Sequence, residues 1–174
     1  MNVFIKLGDL AEQKWAWSTL FLSAVILETV ALYSQYGMHL EPCIMCIYQR
    51  TAVFGVLLAA LIPLLKNTLF TRLIGFIGWG ISSIWGLFIA IEHVDLQMAS
   101  NPFFAACEIV PNFPSFMPLH QWLPNIFAAT GDCGNIDWQF LSLSMPQWMI
   151  VIFAAYALSF AAVLFCRLFT RRSF

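Results

Sequence analysis

The sequence predicts an all-α membrane protein, a four-transmembrane-helix bundle with two outer loops. Three observations predict it. Of the 174 residues, 61% are hydrophobic and only 10% are charged, with a mean hydropathy of +0.81. A soluble domain carries roughly 25% charged residues, so this chain lacks the polar surface that water requires. Four long apolar runs follow one another, each of about 18 residues or more, the length that reads as a membrane span. Finally, seven of the eight Lys and Arg residues fall in segments that four crossings place on one side. There is no repeat and no low-complexity tail. The chain is too short for a soluble domain beside four spans, so residues 1–174 are read as a single integral membrane domain.

The runs cover about 15–36, 47–65, 73–91 and 148–165. At roughly 1.5 Å rise per residue, each can cross a hydrocarbon core of about 30 Å. The first run is longer than the apolar region of a signal peptide, and no small-residue cleavage site with a soluble sequence follows it. It is expected to be an uncleaved span.

Lys and Arg orient the bundle, because they accumulate on the cytoplasmic side. Lys6 and Lys14 precede the first span, Lys66 and Arg72 link the second and third, and Arg167, Arg171 and Arg172 follow the fourth. The remaining links, 37–46 and 92–147, hold no basic residue but carry Glu41, Glu92, Asp95, Glu108, Asp132 and Asp137. Both termini are therefore expected in the cytoplasm and both of these loops outside. The bilayer is the expected surrounding, and no nucleic-acid partner is expected. Arg50 is the exception, a few residues into the second span near its outer end. A cation at membrane depth is costly and commonly functional, although a long side chain can snorkel to the interface.

The long outer loop has prolines at 102, 111, 114, 118, 124 and 146, too many for a long helix or a central strand. Between 113 and 127 those prolines alternate with Phe116, Met117, Leu119, Trp122, Leu123, Ile126 and Phe127. Such a segment suits the membrane surface. It is expected to lie partly on the outer leaflet, with one short helix around 119–128.

Cys43, Cys46, Cys107 and Cys133 fall on the outer side, and Cys166 at the inner end of the last span. Outer cysteines are first read as disulfides, and four of them allow three pairings. Cys43-Ile44-Met45-Cys46 is the sharpest signal. Free backbone N–H groups at a helix N-terminus stabilise a thiolate, the reactive form of cysteine. Pro42 sets the chain entry, and Arg50, four residues after Cys46, projects from the same helix face and favours that thiolate further. Zinc would need a second pair, but Cys107 and Cys133 lie 26 residues apart rather than in a second CxxC, and no metal is expected. Covalent haem would need a His where Ile47 stands, and no His sits mid-membrane to hold a b-type haem. A purely structural CxxC remains open. Cys107 follows an uncharged stretch, 102–106, suited to docking in a partner's groove. Cys133 sits in the turn sequence Gly131-Asp132-Cys133-Gly134. If these two pair, the disulfide is expected to be exposed on a flexible loop and exchangeable. Cys166 reads as a small apolar residue. Glu28, alone among apolar neighbours in the first span, is expected either protonated or hydrogen-bonded between helices.

The stretch Glu41-Pro42-Cys43-Ile44-Met45-Cys46-Ile47-Tyr48-Gln49-Arg50 resembles the disulfide bond formation protein B (DsbB) family of bacterial inner membranes. So do Glu92-His93, Pro102-Phe103 with Cys107, Gly131-Asp132-Cys133, and Met145-Pro146-Gln147-Trp148. The resemblance implies a multi-pass protein of the bacterial inner membrane. It implies an enzyme that reoxidises a periplasmic thioredoxin-fold dithiol protein of the DsbA kind and passes two electrons to a membrane quinone, ubiquinone or menaquinone. It further implies that the reduced partner attacks Cys107, that Cys133 pairs with Cys107 and exchanges with Cys43, and that Cys46 faces the quinone beside Arg50 and His93. His93 and Glu92 are candidate proton donors. Two other readings compete: a quinone-coupled enzyme of the vitamin K epoxide reductase type, whose CxxC instead follows its loop cysteines, and a four-span assembly protein with static disulfides.

Overall fold

The computed structural model describes residues 10–98 and 111–170. Four long helices carry the fold: α1 (Lys14–Tyr36), α2 (Ile44–Leu65), α3 (Leu69–Met98) and, last in the chain, α6 (Met145–Thr170). All four are long and apolar enough to cross a membrane. Helices suit that setting because each satisfies its backbone hydrogen bonds within the segment. α2, α3 and α6 begin earlier than their apolar runs, and α3 runs on past Ile91 through Glu92–Gln97. Hydropathy marks only the apolar part, whereas helical hydrogen bonding continues into polar sequence. At 30 residues α3 is about 45 Å long, so it projects beyond an apolar core of about 30 Å.

α2 is the central helix. Half of its span is buried inside the protein, against 17% for α1. It packs on α1 and most extensively on α3, and α3 packs on α6. The core holds Val56, Ala60, Phe76, Trp79, Phe153 and Tyr156. Trp79 meets Trp17, Phe76 and Phe160 edge-on. α2 and α3 approach closely where Pro63 removes the N–H that would bond the Ala59 carbonyl. Gly75 fits against that freed carbonyl; a Cβ there would lie 2.6 Å from the Ala59 oxygen. Small residues at such points let membrane helices approach closely without a hydrophobic drive between them.

The two ends of the bundle differ. At the basic end a 3₁₀ turn, Leu10–Glu12, is tied in by Glu12. Its carboxylate accepts from Arg167 at 3.1 Å and pairs with Arg72 at 3.6 Å, and Trp17 Nε1 donates to the Ala11 carbonyl at 2.9 Å. At the cysteine end, α4 (Leu119–Trp122) and α5 (Pro124–Phe127) are single turns. One helix over 119–128 was expected; Pro124 splits it, because proline lacks the N–H and drives Leu123 out of helical geometry (φ −134°, ψ 65°). Residues 111–127 are pinned to α2. Asn112 N–H donates to the Tyr48 hydroxyl at 2.8 Å, Phe113 meets Tyr48 edge-on, and Phe127 packs on Phe54.

Before α6 comes a small hairpin the sequence did not announce, β1 (Gln139–Phe140) and β2 (Leu143–Ser144). Gln139 pairs with Ser144 and Phe140 with Leu143. Its turn residues, Leu141 and Ser142, both have positive φ (51° and 64°), as a type I′ turn requires. That turn normally advertises itself with Asn-Gly, which is absent here. The Met145–Trp148 motif locks the hairpin to α6: Ser144 N–H donates to Gln147 Oε1 at 2.8 Å and Trp148 Nε1 to the Phe140 carbonyl at 3.0 Å.

Candidate functional site

Cys43 is the N-cap of α2, with extended backbone (φ −78°, ψ 171°). Its sulfur accepts the Cys46 N–H at 3.3 Å, the place a capping oxygen ordinarily takes. This one-turn geometry sets the Cys43 and Cys46 sulfurs 2.8 Å apart, both as free thiols. The expected CxxC at a helix start is thus what forms, with one refinement: the cap N–H of Cys46 goes to the Cys43 sulfur. The S–H···S contact with Cys46, and then burial, push the Cys43 thiol above its ordinary range. Cys43 therefore keeps its proton when the pair is reduced.

α3 brings His93 to this pair. Its Nε2 lies 3.5 Å from the Cys43 sulfur, and its Nδ1 faces the Gln49 side-chain amide at 3.1 Å. The Gln49 amide can donate to Nδ1 or, turned over, accept from it, so it supports either tautomer of the ring. The backbone of Cys133 also hydrogen-bonds this ring. His93 is 2% exposed. Its neighbour Glu92 is exposed and does not line the cleft, so of the two expected proton donors only His93 reaches the site.

Arg50 is buried one turn further along α2. It donates to Gln35 Oε1 of α1 at 2.9 Å and to the Ile126 carbonyl of α5, and its Nε lies 3.9 Å from Glu28 Oε2. A fork of several N–H donors can serve partners on three segments at once, which a snorkelling side chain would not do. Glu28 is thus the buried acidic side chain that faces Arg50, and its Oε2 has no hydrogen-bond partner.

Arg50, Glu28, Gln35, Cys46 and His93 all line one cavity of about 490 Å³. Its remaining wall is largely apolar, from α1 (Leu27, Ala31), α2 (Val53) and α6 (Met149, Ile152). A mostly apolar cleft of roughly 300–1,000 Å³ with a few convergent polar groups is the usual form of a small-molecule site.

The loop carrying Cys133 closes this cleft at the cysteine end. Thr130 and Gly131 N–H both donate to the Pro42 carbonyl, at 3.0 and 3.1 Å. Gly131 is required there, since a Cβ would lie 2.3 Å from the Glu41 carbonyl oxygen. Asp132 Oδ1 accepts the Gly134 N–H at 2.9 Å and tightens the turn. Cys133 is disulfide-bonded and 0% exposed, packed with Cys43 and Ile44. This corrects the expectation of an exposed disulfide at Cys133: the turn is docked on the CxxC. Cys107 and the stretch 102–106 lie outside the described residues. Cys166 is buried toward the basic end, away from the cleft.

Gln35 and Gln49 escaped the sequence reading. Their signal was present, since polar side chains in spans mark interior faces. Gln35 lies two turns after Glu28, and Gln49 directly precedes Arg50.

The model of the disulfide bond formation protein DsbB family matches residues 13–163. The chain belongs to the DsbB family. It is 59% identical over 167 residues to disulfide bond formation protein B of Pseudoalteromonas atlantica, covering 96% of this chain and 98% of that one. The namesake of Pseudoalteromonas translucida is 51% identical, covering 96% and 98%. That of Vibrio parahaemolyticus is 45% identical, covering 97% and 95%. This DsbB-family chain is thus a multi-pass membrane protein of disulfide bond formation. Making a disulfide from two thiols removes two electrons, so the family's work is oxidoreductase chemistry.

Proposed function

We propose that this protein is a thiol:quinone oxidoreductase of the bacterial inner membrane that reoxidises a periplasmic thioredoxin-fold dithiol protein, DsbA-like, and delivers two electrons to a membrane quinone. The observation that carries the reading is the meeting of three things in one cleft: the CxxC, the docked Cys133 turn, and a cavity with Arg50 and His93 in its wall. Both termini lie in the cytoplasm and both cysteine-bearing loops in the periplasm. The exposed apolar side chains of Phe116, Trp122 and Leu123 rest on the outer leaflet.

Electrons move by thiol–disulfide exchange. Reduced partner attacks Cys107 of a Cys107–Cys133 disulfide, releasing Cys133 as thiolate. Cys133, already packed on Cys43, attacks that sulfur of the Cys43–Cys46 disulfide and releases Cys46 into the cavity. A second thiolate of the partner then frees Cys107, which restores its bond to Cys133 and returns Cys43 as a thiol. Reclosing the Cys43–Cys46 disulfide gives up two electrons and two protons, which a quinone substrate in the cavity would take to leave as quinol. The chain's residues prepare that transfer. Arg50, held by Glu28, Gln35 and Ile126, presents a fixed positive charge to a carbonyl gaining electrons. His93, with Nε2 beside Cys43 and its ring in the cavity wall, stands in the path of protons leaving the dithiol and can take one when Nε2 is unprotonated. The cavity fits a quinone ring by volume, by its apolar wall, and by the Arg50 guanidinium, a donor for a carbonyl oxygen.

The test is anaerobic mixing of purified protein, reduced dithiol partner and quinone, followed by quinol absorbance. Cys107→Ser and Cys133→Ser should block reaction with the protein partner, and Cys43→Ser and Cys46→Ser should block quinone reduction. A protein with static disulfides would form no mixed disulfide and no quinol, and that outcome overturns the proposal.

A further inference from the structure

We propose that the reduced site is also a metal-capture site, in which the Cys43 and Cys46 thiolates and a His93 ring nitrogen bind one thiophilic divalent cation, Zn²⁺ foremost. The two sulfurs and the ring nitrogen all lie within 4.8 Å of one another, and all three residues are wholly or partly buried. A tetrahedral zinc ion with Zn–S near 2.3 Å and Zn–N near 2.0 Å needs S···N of about 3.5 Å and S···S of about 3.8 Å. The Cys43 sulfur and His93 Nε2 are already 3.5 Å apart. The sulfurs, at 2.8 Å, open by about 1 Å, which rotation of the Cys43 side chain at the helix cap supplies. Spacing alone pointed to no metal because it looked for two further cysteines. The third ligand is a histidine from a different helix.

The surroundings suit an ion. Cys46 N–H already donates to the Cys43 sulfur, the kind of outer contact that orients metal thiolates. When Nε2 ligates, the ring proton sits on Nδ1, and the Gln49 amide presents its oxygen to accept it. Two thiolates neutralise the dication. The fourth position opens onto the cavity, as in a zinc site that retains an exchangeable ligand. Capture releases the two thiol protons and moves no electron. It cannot coexist with a Cys43–Cys46 disulfide, so the site exists only in the reduced protein. Under the proposed function, an ion held there arrests the chain in its reduced form.

The experiment titrates Co²⁺, then Zn²⁺, anaerobically into the reduced full-length protein carrying Cys107→Ser, Cys133→Ser and Cys166→Ser, which leaves the CxxC as its only cysteines. One Co²⁺ per chain with the intense visible bands of a tetrahedral thiolate site is expected, bleached by Zn²⁺. The same protein with the disulfide closed should bind none. His93→Ala should weaken binding at least about tenfold and shift the bands, Gln49→Ala should weaken it about tenfold, and His93→Cys should restore affinity with a three-sulfur spectrum. Absence of saturable one-to-one binding overturns the proposal. So does a His93→Ala protein matching its parent in spectrum and affinity, which marks simple dithiol chelation. No quinone or partner enters the titration. A protein that reduces quinone but binds no cobalt sinks this inference alone, and one that binds cobalt but makes no quinol sinks only the proposed function.

Discussion

Residue by residue, the site is governed by what each polar side chain does with its donors. Arg50 is the clearest case, since its guanidinium serves Gln35, Ile126 and Glu28 at once. Lysine offers a point charge without the planar fork, so Arg50→Lys is not conservative. Steady-state kinetics should show quinone KM raised about tenfold in Arg50→Lys and more in Arg50→Ala, the scale of one lost charge-assisted hydrogen bond. An unchanged KM in both variants would reduce Arg50 to a structural tie between α1, α2 and α5. Cys43 supports a prediction in pH. Its thiol is pushed up, first by the hydrogen bond to Cys46 and then by burial. Alkylation follows the thiolate, so Cys43 in the reduced protein should react only as pH climbs above the ordinary thiol range. Cys46→Ala removes the larger cause, so the Cys43 alkylation curve should move to lower pH while burial still holds it above an exposed thiol. Peptide-resolved mass spectrometry of alkylation against pH reads this directly, and a curve that stays in place rules out the Cys46 contact as the cause.

At the scale of elements, the Cys133 turn is positioned by backbone contacts more than by side chains. Two N–H groups converge on the Pro42 carbonyl, and Gln97 at the end of α3 holds the following segment through the Asn135 carbonyl and the Ser144 hydroxyl. Gly131→Ala places a methyl 2.3 Å from the Glu41 carbonyl oxygen, so the turn must lift. Cys133 would then lose its packing on Cys43 while α2 and α3, with the CxxC, stay as they are. Turnover with the protein partner should fall by about tenfold to a hundredfold, the scale of an ångström-sized misplacement of reacting groups. Turnover driven by a small dithiol acting directly on the CxxC should be nearly unchanged. Comparing the two rates in stopped flow decides it, and equal losses would mean that the substitution disturbs the whole bundle.

For the whole molecule, topology is the testable claim. Lys14, Lys66, Arg72 and Arg167 gather at one end of the bundle, with Glu12 among them, and the CxxC and the Cys133 turn gather at the other. A reporter active only outside the cytoplasm should work when fused after Gln97 or Gln139 and stay silent after Asn67 or Phe174. Activity after Asn67 would overturn the orientation, since the α2–α3 link and both termini share a side in any four-span arrangement.

Composition, apolar run length and the distribution of Lys and Arg determined the fold class, the number of spans and their order, because a bilayer rewards those properties locally, one segment at a time. The CxxC at a helix start was equally legible, since Pro42 and the two cysteines act within a single turn. Tertiary structure decided everything that depends on two segments meeting. The pairing of Arg50 with Glu28 and Gln35 joins α1 to α2, and the contact of His93 with Cys43 joins α3 to α2. The burial of Cys133 against the CxxC joins a loop to a helix cap. A linear pattern shows which residues are polar in an apolar span. Which of them share a cavity is set by helix rotation and close approach, and those follow from packing, as where Gly75 meets Ala59 and Gly131 meets Glu41.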